Sequence, residues 1–315
     1  MSGSSPVVNW MPFLLGFAAG MLSRLLSLQP GRREYPGWPS GYISQLALGI
    51  IAAMIGGGII TSLFAKEFTA ATFLTLAATQ FRDVRETERE TLSNEESLIL
   101  VPRGPGYIEG IAMTYEARNF LAMLVALATS AVAFWLGLLP GIGGGVVFVI
   151  LGQVFMRGRS IGRELEIKAG QIHFEKESLL YVDNVMLMDV GLVQVREAWL
   201  EHGLGITLTP KSAQGQAILW NLGQRQAITH EAAMAVGVRK DVGYPDYTPL
   251  TRMDMPSGSG VAALAIVPAF KDIDRLIRAV QLTPMLEASK MSRVLSPTLL
   301  NDDGHSSQNG GSQHG

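Results

Sequence analysis

Two glutamates pose the first chemical question. Glu109 and Glu116 stand seven residues apart in the stretch GYIEGIAMTYEARNF, residues 106–120, and seven residues return a helix to the same face. Two carboxylates on one face beside an apolar segment can work as acid and base or hold a cation. A plainer reading pairs Glu116 with Arg118 or Asn119 and lets Glu109 cap the preceding turn. Tyr107 and Tyr115, eight apart, are expected on a shared face of the same helix.

The other chemical candidates are weaker. His230-Glu231 is followed by Met234 where a zinc metalloprotease places its second histidine, so the H-E-x-x-H site is absent. His173 sits in an alternating strand pattern and reads as a surface histidine. Asp183 and Asp189 would share a face of an unbroken strand but lie about 20 Å apart there, too far to act as a pair. Asp241, Asp246 and Asp254 belong to a Tyr-, Pro- and Gly-rich loop, residues 241–260, which reads as a partner-binding or substrate-gating surface. No phosphate loop, dinucleotide fingerprint or serine nucleophile elbow is present. With Cys at 0, disulfides, a thiol nucleophile and thiolate metal ligands are excluded. No metal or cofactor is expected.

The elements that must carry these residues are largely apolar. Hydrophobic residues make up 48% of the 315-residue chain and charged residues 17%, against a charged share of about 25% in soluble domains. The excess is concentrated in four stretches, 10–28, 43–64, 120–139 and 142–156, the last two divided by Pro140-Gly141. Each approaches the roughly 20 residues needed to cross a bilayer. A net charge of -2 disfavours a nucleic-acid partner. No Asp, Glu or His falls inside the four stretches, which disfavours an ion or proton pathway. Small residues at four-residue spacing, Gly16 and Gly20, Ala53 and Gly57, Gly141 and Gly145, suit close helix packing within one bundle, with a homo-oligomer interface as the alternative.

A fifth apolar run, residues 68–81, is shorter and reads as an interfacial or re-entrant helix. If it crosses instead, the orientation of everything downstream is inverted. It leads into FRDVRETERETLSNEE, where Arg82 stands four before Glu86 and Arg85 three before Glu88, a spacing that predicts a solvated helix. With four spans, the positive residues place both termini in the cytoplasm and residues 29–42 outside, although Arg32 and Arg33 then sit on the less favoured side. A short strand is expected over residues 98–101, followed by a turn through Pro102, Gly104, Pro105 and Gly106.

The hexapeptide Tyr107, Ile108, Glu109, Gly110, Ile111, Ala112, set between membrane segments and followed by Tyr115 and Arg118, resembles the signature of the YIEGIA proteins of endospore-forming Firmicutes. The resemblance implies a bacterial, sporulation-associated membrane protein with a small soluble partner described as a capping subunit. It brings no established catalytic residue with it.

Beyond residue 157 the pattern changes. LEIKA, QIHFE and SLLYVDNVMLMDV read as strands, as do residues 205–210 and 260–268, while 214–236 and 272–280 read as helices. The expected fold is therefore a membrane α-helical bundle of about four transmembrane helices followed by a soluble α/β (α+β) domain, with a ferredoxin-like half as one possibility. The boundaries are 1–64 for the first two helices, 65–117 for the interfacial and charged helix with the YIEGIA segment, 118–157 for two further helices, 158–300 for the soluble domain and 301–315 for a disordered Gly/Ser/Gln/Asn-rich tail. Two functions are expected. The first is a membrane-anchored regulatory or scaffold protein in the bacterial cell membrane that binds a protein partner. The second is a membrane-embedded, protease-like hydrolase using Glu109 with Glu116 or a loop Asp.

Overall fold

The computed structural model describes residues 10–27, 39–156, 158–240, 247–254 and 260–290. The expected tail, most of the segment 29–42 and most of the loop 241–260, with Asp241 and Asp246, lie outside the described residues. The chain forms two compact units, one of residues 1–98 and 108–158 and one of residues 99–107 and 159–315.

The first unit is helical: α1 (Met11–Ser27), α2 (Pro39–Phe64), α3 (Phe68–Glu96), α4 (Pro105–Leu136) and α5 (Leu138–Phe155). Among the described residues, Ile43–Phe64, Pro105–Leu136 and Leu138–Phe155 are long and apolar enough to cross a membrane, and Met11–Ser27 is a shorter apolar helix of the same kind. The packing is inverted relative to a water-soluble bundle. In α1 the buried stripe is Pro12, Gly16, Gly20, Ser23, Arg24 and Ser27, while Leu14, Leu22, Leu25 and Leu26 face outward. In α5 Gly141, Gly145, Val149 and Gly152 are buried and Ile142, Val146, Ile150 and Val154 are exposed. Small residues inside and large apolar ones outside is the arrangement expected where the solvent is hydrocarbon and helix association rests on close contact.

The spaced small residues do pack the bundle from within. A methyl group on Gly20 would stand 2.8 Å from the Ala122 carbonyl oxygen and 2.9 Å from Ala53 Cβ, and one on Gly56 2.1 Å from the Met123 oxygen. The break between the last two helices falls at Gly137, not at Pro140-Gly141. Gly137 takes a positive φ of 95°, open to glycine without cost, and Pro140 is accommodated in the first turn of α5, where its missing N–H leaves no bond unmade.

The second unit is an α+β fold with two antiparallel sheets. A four-stranded sheet runs β1-β5-β7-β6 and a three-stranded one β2-β3-β4, from β1 (Leu165–Gly170), β2 (Ile172–Glu175), β3 (Leu179–Val182), β4 (Val185–Asp189), β5 (Leu204–Pro210), β6 (Leu250–Met253) and β7 (Ala262–Ile266). Helices α6 (Val193–His202), α7 (Ala213–Trp220), α8 (Leu222–Val236) and α9 (Ile273–Gln281) complete it. Strands β5 and β6 are both antiparallel to β7, which lies between them, so they are parallel to each other and joined by α7 and α8. That is the split β-α-β unit of the ferredoxin-like pattern.

Strand β7 is buried on both faces, which explains its unbroken apolar sequence. Ala262, Leu264 and Ile266 enter the core with Ile228, Ala232 and Leu276. Ala263 and Ala265 enter a second core with Leu180, Leu187 and Trp199. The helix expected over 214–236 is two helices, broken at Asn221, whose side chain accepts from Gln224 N at 2.9 Å and caps α8. Residues 98–101 form no strand. Val101 is instead a buried member of the first core. Helix α6 and strand β6 went unread in the sequence.

Candidate functional site

The motif helix opens with Pro105, suited to a first turn by its fixed φ. The boundary between the two units falls inside the motif, between Tyr107 and Ile108, so its residues act in two places.

In the first unit, Glu109 and Glu116 converge as their spacing predicts, though on a base and not on each other. Arg85 of α3 donates from Nε to Glu109 Oε1 at 3.0 Å, pairs with the same oxygen through Nη2, and donates from Nη1 to Glu116 Oε2 at 3.4 Å. The guanidinium thus fills the space in which two carboxylates would share a proton. The hydrogen bond to Glu109, opposed in part by desolvation and reinforced by the charges of both glutamates, holds Arg85 above the ordinary arginine range. Side-chain exposure is 37% for Arg85, 34% for Glu109 and 19% for Glu116, so the triad is more open at its Glu109 side. Arg118 does not serve Glu116; its Cζ lies 5.4 Å from the centre of the buried Tyr115 ring, a cation–π placement. Ile108, Ile111 and Ala112 are buried, and Gly110 O accepts from Thr114 Oγ1 at 2.8 Å.

A second polar chain runs through this unit. Arg24, fully buried, donates to Gln45 Oε1, and Gln45 Nε2 donates to Glu88 Oε1 at 3.2 Å. A methyl group on Gly49 would meet Arg24 Cγ at 2.4 Å, so that glycine makes room for the arginine stem. The charged part of α3 is therefore not a uniformly solvated helix: Glu88 and Leu92 are buried. Arg85 and Glu88 turn to other helices instead of pairing, and Glu86 pairs with Arg89 at 3.1 Å. The apolar spans lack acids in sequence, yet α3 delivers one into the bundle. The signal available was Arg24 itself, the single charge of the first stretch.

In the second unit, Tyr107 is buried and its hydroxyl donates to Glu231 Oε1 at 2.5 Å. The neighbouring His230 holds the Val101 carbonyl oxygen through Nδ1 at 2.7 Å, and its ring meets the Tyr107 ring edge-on at 6.1 Å. His230-Glu231 thus anchors residues 101–107, up to the first turn of α4, to α8. Tyr107 and Tyr115 both lie on α4, as their spacing predicts, and fall in different units. Burial lowers the pKa of the Arg225 guanidinium on α8.

His173 pairs with Glu175 at 3.5 Å and stacks on Tyr181 at the partly exposed edge of β2. Asp183 occupies the β3–β4 turn at φ 49°, accepting from Gln171 N at 2.8 Å. Among the described residues, no group of three or more His, Asp or Glu is placed to hold a metal ion.

Comparison with known proteins agrees with the hexapeptide. A family model described as "YIEGIA protein" matches residues 12–295. The chain is 39% identical over 276 residues to a protein of Bacillus subtilis (strain 168) named "Uncharacterized protein YphB", covering 88% of this chain and 92% of that one. No solved structure matches.

Proposed function

This chain belongs to the YIEGIA protein family, and from that premise we propose that it is a multi-pass protein of the bacterial cell membrane acting in sporulation as a regulatory scaffold. Its second unit lies in the cytoplasm and receives a small soluble protein of the capping-subunit kind. Helices α1, α2, α4 and α5 each cross the bilayer. The observation that carries the scaffold reading is the double engagement of Arg85 by Glu109 and Glu116. A carboxylate pair built for hydrolysis must share a proton or hold a water between its members. Here a guanidinium occupies that position, and the two glutamates of the motif helix work as a structural tie to α3.

Helix α6 offers the second unit a surface for a partner. Its Val195 and Trp199 are buried, while Leu192 at its N-cap and Val193 and Leu200 on the helix are exposed. Seven residues separate Val193 from Leu200, so they share one face, and clustered exposed apolar side chains mark interaction sites. The test is capture by the full-length, affinity-tagged chain, solubilised in mild detergent from sporulating Bacillus cells at physiological salt. A small soluble protein retained in stoichiometric amount is the expected result; retention of none overturns the reading.

A further inference from the structure

We propose that the apolar half of α3, residues 68–81, is a fifth bilayer-crossing segment. The lipid-contacting surface then belongs to a five-helix bundle, and the N-terminus lies on the opposite side of the membrane from the chain that follows α5. The inference rests on the preceding reading only for the cytoplasmic placement of that following chain.

The first observation is geometric. Helix α3 runs antiparallel beside α2 in close register. A methyl group on Gly58 would meet Leu74 Cδ1 at 3.2 Å, and at the far end of the contact Gln45 Nε2 donates to Glu88 Oε1 at 3.2 Å. At this register residues 68–81 lie beside residues 51–64 of α2, roughly 20 Å along the axis and about two thirds of the hydrocarbon thickness. Residues 43–64 of α2 are long and apolar enough to span. A helix lying in the interface would run across such a span. One that follows it for this distance traverses the same slab.

The second observation is the placement of charge along α3. Residues 68–81 carry none, whereas Lys66 and Glu67 stand just before them and Arg82 and Asp83 just after. Fourteen helical residues reach only about 21 Å, and the long stem of the flanking Lys66 suits it to part of the remaining distance. The Lys66 end of the bundle carries aromatic side chains, with Phe64 edge-on to Trp135 at 5.7 Å and Trp10 exposed beside Phe13. Such rings are enriched at the membrane–water boundary.

The third is the distribution of basic residues. Five crossings put Arg32 and Arg33 on the same side as Arg103, Arg159 and Arg163. The segments on the other side, residues 1–10, 65–67 and 137, contain Lys66 as their one Lys or Arg. With four crossings Arg32 and Arg33 stand on the disfavoured side; with five the asymmetry holds throughout, and the arginine-rich side is the cytoplasm.

The chain has no cysteine, so single introduced cysteines report topology directly. Lys66→Cys and Ser97→Cys, on either side of α3, are made in the full chain and treated in intact cells with a membrane-impermeant maleimide. Labelling of Lys66→Cys, with Ser97→Cys labelled only after permeabilisation, is expected. Equal behaviour of the two sites overturns the inference. Epitope tags at the two termini give a readout free of cysteine reactivity. An N-terminal tag accessible in intact cells with a C-terminal tag protected supports five crossings, and tags behaving alike overturn them. The C-terminal tag alone tests the cytoplasmic placement, so the two readings fail separately.

Discussion

The Tyr107 hydroxyl donates a 2.5 Å hydrogen bond to Glu231 across 124 residues of sequence, while Glu109, two residues further on, bonds Arg85 of α3. One hexapeptide therefore fastens its tyrosine to the α+β unit and its glutamate to the helical unit.

Tyr107→Phe removes the donor and leaves a mostly buried carboxylate without that partner. Such a loss costs about 1–3 kcal/mol, read as a lowered melting temperature of the purified full chain. Glu231→Gln in the same background should cost less than in the wild type, because both changes strike one bond.

Arg85→Gln should change stability little, by about 1 kcal/mol or less, since the Arg85 pairs are a third or more exposed on the arginine side. Denaturant titration in detergent checks this. If the scaffold reading holds, Glu109→Gln, which keeps the shape of the side chain, leaves partner capture within twofold of wild type. A catalytic role for Glu109 would instead abolish the cellular phenotype on this one substitution.

Arg24→Met interrupts the chain to Gln45 and Glu88 and removes the cation from a buried network that holds an acid. Breaking a buried charged network on one side costs about 3–5 kcal/mol, large enough to show as aggregation on size-exclusion chromatography in mild detergent. Adding Glu88→Met should recover part of that loss.

Gly56→Val drives a side chain against the Met123 carbonyl oxygen, 2.1 Å from where its first carbon would sit. Overpacking of this kind costs about 1–3 kcal/mol or forces the helices apart. Lower thermal stability of the solubilised protein is expected, with Gly143→Val, at a position with nothing within 4 Å, as the neutral control.

Leu200→Glu places charge on the exposed apolar face of α6. Capture of the soluble partner should fall at least tenfold while the melting temperature stays within a degree or two, because the residue is not in the core.

In the α+β unit, the hydrogen bond from Lys168 holds Glu166 below the ordinary glutamate range. A depressed folded-state value means that its small contribution is present above the unfolded pKa and disappears as pH falls through the folded one. Lys168→Met should raise the Glu166 midpoint in an NMR titration.

Much of the architecture was legible in the sequence. Long apolar stretches, the four-residue spacing of small residues and the period-two strands are local patterns, and local patterns survive translation into structure. The seven-residue spacing of Glu109 and Glu116 likewise gave a shared face. Their partner did not follow from it, because Arg85 lies on a different helix. Arg24, Gln45 and Glu88 were unread as a group because each looks ordinary alone: a charge near a helix end, a polar residue near a helix start, one acid among six in a charged helix.

The sequence by itself determined where apolar surface must meet apolar surroundings, which residues are small enough for helices to touch, and which strands alternate, since these depend on neighbours a few positions away. Only the tertiary structure decided what the carboxylates are bonded to, that Tyr107 and Glu109 belong to different units, and that α3 runs alongside α2. Those facts depend on which distant helix supplies the opposing charge, a choice that is costly to leave unmade where the groups are buried, as for Arg24, Gln45 and Glu88.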